Sequence, residues 1–216
     1  MSKLTLPLIG LGGASTAAVG GYMFFIRGEK STVEKTFRST YSQAILKEND
    51  NLWSTKLAAL RSEGNPIHKT LIDAKAKVTT SEQQAKSLLV EGCRKIYDSK
   101  LSDSLYEKDF KTYCSKTIKD VIQGTWISEA HDGSGSHTKW NQKLTSLKEH
   151  AEATKGVLSK GLQTLKGQLS SEASSTNWDD AKRKVLKDWC DASKKEIFMG
   201  ETDSRVLNSK SYCLES

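Results

Sequence analysis

Proline is nearly absent from this sequence, with two residues in 216, whereas average usage is roughly 5%. Few positions therefore forbid a helix. The apolar fraction of 36% and the charged fraction of 27% exclude a polytopic membrane protein and a fibrous repeat. A chain of this length can still bury a core without the help of a metal.

Motifs that carry chemistry are also missing. The sequence contains no C-x-x-C and no H-E-x-x-H. His131 and His137 flank a Gly/Ser loop next to Asp132, but nothing supplies a third metal ligand at a diagnostic spacing. We therefore expect a solvated loop there. Gly133-Ser-Gly135 lacks the Lys-Ser/Thr pair of a phosphate-binding loop. The sequence predicts no catalytic residue, no metal ligand, no cofactor and no small-molecule substrate, so we do not expect an enzyme.

The N-terminus carries the one long uncharged run. Leu4 to Ile26 are 23 residues without a charge, between Lys3 and Arg27, and a bilayer core needs roughly 20 in a helix. One interpretation is an uncleaved single-span anchor, and the other is a secretory signal peptide cut near Ala17 or Ala18, which would release a secreted protein. We favour a membrane anchor over residues 1–28, because the most apolar part follows the possible cut.

Three markers recur in the same order along the chain and indicate an internal duplication. The pattern W-x-x-K-L-x-x-L begins at Trp53 and again at Trp140. Two further pairs of segments match, namely Leu89-Val-Glu-Gly-Cys93 with Leu186-Lys-Asp-Trp-Cys190, and Lys111-Thr-Tyr-Cys114 with Lys210-Ser-Tyr-Cys213. The sequence thus predicts two related helical-bundle modules, residues 29–123 and 138–216, joined by a Gly/Ser linker over residues 124–137.

Apolar residues recur by threes and fours in both modules, and no run shows sustained β-branched alternation, so we expect an all-α fold. The apolar residues from Trp140 to Leu169 follow this spacing and form one stripe, which predicts a single helix of about eight turns. Asn65-Pro66 is typical of an N-cap followed by the first helical residue. Ser81 and Gln84 have the spacing of a capping box.

The four cysteines divide into two per module at equivalent places, which favours the disulfides Cys93–Cys114 and Cys190–Cys213. The alternative is four free, buried thiols. Disulfides would place the bulk of the chain in an oxidising exterior. The Lys and Arg residues that follow the apolar run argue instead for a cytoplasmic side, although that rule weakens before a long domain.

The net charge of +7 permits binding to anionic surfaces, but basic and acidic residues are interleaved as on solvated helix faces. No nucleic-acid recognition motif occurs, so nucleic acid is not the expected partner. Trp53, Trp140 and Trp189 are expected in the core. Trp126 lies near the predicted linker and is our candidate contact residue.

Several segments together carry a resemblance to a known group of proteins. They are MSKLTLPLIGLGGASTAAVGGY, EGCRKIYDSKL with DFKTYC, GTWISE, LKDWCDASKKEIF and KSYC. In these segments the chain resembles the paralogous uncharacterised membrane or surface proteins of haemotropic mycoplasmas. The resemblance covers essentially the whole chain, and it implies a membrane-associated or cell-surface product. It supplies no enzyme activity and no site residues.

The sequence therefore predicts a single-pass cell-membrane protein whose C-terminal bulk is extracellular. We expect it to act by protein–protein contact, in adhesion, antigenic display or assembly, with a host surface protein or a second copy as partner. The alternative is a basic helical binder of anionic partners, either nucleic acid or lipid headgroups. Salt separates the two, because counterion release makes polyanion binding steeply salt-dependent.

Overall fold

The computed structural model describes residues 34–103, 105–172 and 177–215. The predicted anchor, Leu4 to Ile26, lies outside the described residues. Within the described ranges, no helix combines the length and the apolar character needed to cross a membrane.

The fold is all-α, as predicted. The described part of the chain contains no strand, only helices and four isolated β-bridges. The α-helices are α1 Phe37–Thr40, α2 Leu52–Glu63, α3 Lys69–Lys77, α4 Glu82–Asp98, α5 Glu107–Asp109, α6 Ile118–Val121, α7 Thr138–Lys148, α8 Glu152–Lys155, α9 Lys160–Ser170, α10 Asp180–Lys194 and α11 Ser204–Tyr212. A π-helical turn, Phe110–Cys114, continues directly from α5.

The first half of the described chain, which we define as residues 34–116, packs around α4. The Ser81 side chain accepts a hydrogen bond from the Gln84 amide at the start of this helix, at the predicted cap. Its buried face presents Leu89, Cys93 and Ile96 to α2, α3 and the π-helical turn. Trp53 is also buried here, and its indole N–H donates to the Lys47 carbonyl at 2.8 Å.

The second half, residues 117–215, packs α7, α9, α10 and α11 around a separate apolar cluster. Trp140 is buried in it, and its indole N–H donates to the Glu129 carbonyl at 2.8 Å. A small third cluster joins Ile118 and Ile122 to Phe198 and Val206.

The predicted eight-turn helix from Trp140 to Leu169 is wrong, because the chain turns between α7 and α9. The buried His150 ring stabilises this turn: its Nδ1 lies 2.5 Å from the Tyr212 hydroxyl oxygen, and its Nε2 donates to the Gly156 carbonyl at 2.8 Å. Gly156 has a φ of 77°, which favours glycine. Helices α7 and α9 therefore share the apolar residues of this segment, and both helices bury them in the apolar cluster of the second half.

Helix α3 begins at Lys69, three residues after the predicted start at Pro66. The reason is a distant carboxylate. The Oδ2 atom of Asp109 accepts from the amides of Ile67 and His68 at 2.8 and 2.7 Å. These amides are held in the turn before the helix, and no local side chain caps it.

Disulfides join the two predicted cysteine pairs. Cys93 and Cys114 tie α4 to the π-helical turn, and Cys190 and Cys213 tie α10 to the end of α11. The Cα atoms are 5.2 and 5.6 Å apart, respectively, which is within the usual range for a disulfide.

The β-bridges form two matching sets, one in each half. Thr36 pairs with Lys100, after the end of α4, and Thr117 pairs with Ile197, after the end of α10. The residue that follows the second cysteine of each half also forms a bridge. Ser115 pairs with Ile45, and Leu214 pairs with Trp126.

Candidate functional site

Trp126, the candidate contact residue, lies where the second and third apolar clusters meet. Its side chain is partly buried and packs against both. Its backbone pairs with Leu214, and the Lys194 ammonium lies 5.3 Å from the centre of its ring. A cation at that distance interacts favourably with the aromatic face. The contact role of Trp126 stays a prediction.

Lys194 also lines a cleft that we call the lysine cleft. It has a volume of about 430 Å³ and is lined by Lys111, Lys119, Lys194 and Lys195 together with Ala59, Thr112 and Thr117. No carboxylate is among these lining residues. The π-helical turn contributes Lys111, α6 contributes Lys119, and the C-terminal end of α10 contributes the other two lysines.

Two of the four lysines are paired with carboxylates. The Lys111 ammonium is 3.1 Å from both oxygens of Glu196, and Lys194 is 2.8 Å from Asp191. Burial alone would raise the pKa of the Asp191 carboxyl, but hydrogen bonds from Lys187 and Lys194 hold it below its ordinary value. Lys119 and Lys195 are exposed, and neither has an acidic partner among the described residues.

A buried ion pair lies beside the cleft and joins the two halves. The Lys56 ammonium of α2 donates to the Asp120 carboxylate of α6 at 2.8 Å, with 5% and 13% of the two side chains exposed. Burial alone would raise the pKa of the Asp120 carboxyl. The hydrogen bonds from Lys56 and Thr117 outweigh that effect and hold the pKa below its usual value. The pair fixes α6 against α2.

The loop between Ala130 and His137 is more ordered than the expected solvated loop. His137 is buried, and its two ring nitrogens lie 2.9 Å from the Ala130 carbonyl and 3.1 Å from that of Gly133. Arg183, also buried, donates to the His131 carbonyl at 2.6 Å. The solvated-loop expectation is therefore wrong for His137, although residues 132–136 are exposed.

A second cavity, of about 960 Å³, lies beside this loop. Its lining is uncharged and includes Ser136, Thr138, Asn141, Gln142 and Asn177. Asn141 is committed to the fold, since its side chain bonds to Asn177 and to the Trp178 amide. This cavity concentrates no charge or titratable group, so we regard the lysine cleft as the stronger candidate site.

Sequence reasoning missed the lysine cleft. Three separate segments of the chain supply its lysines, and only the adjacent pair Lys194 and Lys195 gives a local signal. The sequence pattern predicts dispersed basic residues on solvated faces, but the π-helical turn, α6 and the end of α10 bring four lysines to one cleft. Among the described residues, no group of three or more His, Cys, Asp or Glu side chains could hold a metal ion.

The fold and the site define a disulfide-linked, all-α protein with a basic cleft between its two halves. No family model, curated protein or solved structure matches this chain.

Proposed function

We propose that this chain is an N-terminally anchored helical surface protein that acts by protein–protein contact, in adhesion, antigenic display or assembly. The single observation that carries the proposal is the pair of disulfides, one in each half. Such bonds persist in oxidising surroundings and are rare in a reducing cytosol. The uncharged segment Leu4 to Ile26 and the resemblance to haemotropic mycoplasma surface proteins agree with this location.

Protease treatment of intact cells tests the location. We expect residues 34–216 to be cleaved from the surface while a cytoplasmic marker protein stays intact. Protection of these residues until the cells are lysed would contradict the surface role. Mass mapping with and without reduction then tests the disulfides, and a peptide that links Cys93 to Cys190 would contradict the pairing.

We further infer that the two halves are related by internal duplication, with the second copy beginning at Thr117. Thr36 and Thr117 each cap a four-residue helix through a capping box. Equivalent backbone hydrogen bonds follow eight residues later in each half. The Lys116 amide donates to Ala44 at 2.8 Å, and the Glu215 amide donates to Thr125 at 2.7 Å.

This register makes Trp126 the equivalent of Ile45, and it suggests a variant that separates contact from folding. Trp126→Ile substitutes the residue found at the matching position of the first half. We expect it to cost about 1 kcal/mol of unfolding free energy, less than Trp126→Ala, because it retains most of the apolar contact.

Binding to the partner surface should nevertheless fall sharply in Trp126→Ile if the indole is a contact residue. The measurement is attachment of the purified full chain to host cells, with Trp189→Phe as an aromatic control in the second half. If Trp126→Ile left attachment unchanged, the contact role of Trp126 would be refuted.

The alternative function, a basic binder of nucleic acid or lipid headgroups, is favoured by one observation, the convergence of four lysines in one cleft. Raising the salt concentration separates the two functions. Polyanion binding should weaken steeply with added salt, whereas contact through an apolar or mixed helix face should change little.

A further inference from the structure

The lysine cleft combines positive charge with a concave shape. Its four lysines come from both halves of the chain and line a volume of about 430 Å³, which is within the size range of small-ligand pockets. Charges of one sign in a cleft reinforce one another's field and attract counter-ions. A bound anion would offset the repulsion that the packing of the two halves creates.

The pairing pattern indicates where such an anion would bind. Glu196 and Asp191 neutralise Lys111 and Lys194. Lys119 and Lys195 are left with exposed ammonium groups that have no acidic partner among the described residues. The Thr112 side chain lines the same cleft, and its hydroxyl makes no hydrogen bond in the described structure.

The chemistry of these groups selects the class of ligand. Ammonium groups bind phosphate and sulfate oxygens as point charges, and hydrogen bonds between charged groups are stronger than neutral ones. A single negative charge would compensate only one of the two ammonium groups, those of Lys119 and Lys195, that have no acidic partner among the described residues. We propose that the lysine cleft binds a small oxyanion with several negative charges, a phosphorylated or sulfated compound, with Lys119 and Lys195 as its main contacts.

This site does not depend on the surface role, because purified protein can show it whatever the location of the chain. The probe is inorganic tripolyphosphate, titrated calorimetrically into the full chain in a neutral detergent at physiological salt. We expect saturable binding of one ion per chain. The absence of saturable binding would overturn the proposal.

The double variant Lys119→Gln/Lys195→Gln should weaken this binding by about tenfold or more, since it removes the two uncompensated charges. Both side chains are exposed, so the thermal midpoint without the ion should stay close to that of the parent. The matched control is Lys77→Gln/Lys160→Gln, which removes two exposed lysines outside the cleft. Equal weakening by the two double variants would show that only the net charge matters, and would overturn the site.

The source of the anion is decided by competition. If a soluble inositol trisphosphate displaces tripolyphosphate and binds more tightly, the cleft fits a lipid headgroup. If tripolyphosphate binds more tightly, it fits a free linear phosphate. Both results support a compact anion site. A single-stranded RNA that binds more tightly and is weakened equally by both double variants would point to an extended basic face, and would overturn the proposal.

Discussion

Asp109 is a fully buried carboxylate that holds the start of a helix far away in the sequence. One of its oxygens accepts from the Ile67 and His68 amides, and the other, Oδ1, is buried without a hydrogen-bond partner in the described structure. The His68 ring makes an edge-to-face contact with the Tyr106 ring, with 5.0 Å between the ring centres. A single side chain thus joins α5 to the loop before α3.

Asp109→Ala should lower the free energy of unfolding by about 2–4 kcal/mol, because it leaves two backbone amides without their acceptor. Asp109→Asn should cost less, since an amide oxygen can accept the same hydrogen bonds. Urea denaturation measures both. Asp73→Ala, which removes an exposed carboxylate paired with Lys69, is the control and should change stability by less than about 1 kcal/mol. Equal losses in the two Asp109 variants would contradict the capping role.

The pKa values of His137 and His68 should depart from the ordinary histidine value of 6.5 in opposite directions. The hydrogen bonds of the His137 ring to the Gly133 and Ala130 carbonyls raise its pKa above 6.5, because both acceptors favour the doubly protonated ring. Burial, followed by the nearby Lys95 ammonium, lowers the pKa of His68. Titration of the ring protons by NMR measures both values.

The raised pKa of His137 sets the direction in which pH changes its contribution to the stability of the fold. The contribution of His137 is fully present below its unfolded pKa, near 6.5, and is lost as the pH rises through its higher folded pKa. His137→Gln should remove that part of the pH dependence. A His137 ring that titrates below 6.5 in the folded protein would contradict the double hydrogen bond.

At the scale of the elements, each disulfide ties a long helix to a short segment that follows it. The bonds close loops with sequence separations of 21 and 23 residues. In each half, the segment just after the second cysteine pairs with the backbone that precedes the tryptophan-bearing helix. The cross-link therefore holds together both ends of a half.

Replacing either pair by serine should cost about 3 kcal/mol of unfolding free energy, as the chain-entropy relation gives for loops of this size. Guanidinium denaturation of Cys93→Ser/Cys114→Ser and of Cys190→Ser/Cys213→Ser measures the two losses. Adding a reductant to the parent should reproduce them. The variant that lacks all four cysteines is the control, and sensitivity of that variant to reductant would show that the effect lies elsewhere.

At the scale of the whole molecule, Lys56 and Asp120 form the buried connection between the halves. Removing one partner leaves a buried charge without compensation, so Lys56→Met or Asp120→Asn alone should cost about 3–5 kcal/mol. The double variant should recover part of that loss. Chemical denaturation of the four proteins measures the coupling, and additive losses would refute a direct interaction.

The buried pair of Lys56 and Asp120 should also make the stability of the folded protein sensitive to acid. Because the pKa of Asp120 is depressed in the folded protein, its contribution is present above the unfolded pKa and disappears as the pH falls through the folded value. Asp120→Asn should flatten the stability profile in this acid range. The exposed pair of Lys69 and Asp73 provides the comparison, with a coupling of less than about 1 kcal/mol.

Much of the fold could be predicted because its signals are local. Apolar spacing indicated helices, and repeated cysteine spacing indicated which cysteines pair, since matched segments adopt matched geometry. The predicted start of α3 and the predicted helix across residues 140–169 were wrong for a common reason. Asp109 and Tyr212 act from far along the chain, through Ile67, His68 and His150, and periodicity carries no information about such partners.

The sequence by itself determined the helical class and the cysteine pairs of this protein, because periodicity and repeated spacing are properties of neighbouring residues. The tertiary structure decided where helices end, how Trp126 is packed and which lysines face one another. The lysine cleft exists only because Lys111 of the first half packs beside Lys119, Lys194 and Lys195 of the second. Electrostatic repulsion between these groups depends on their distance in space, which the folded packing sets.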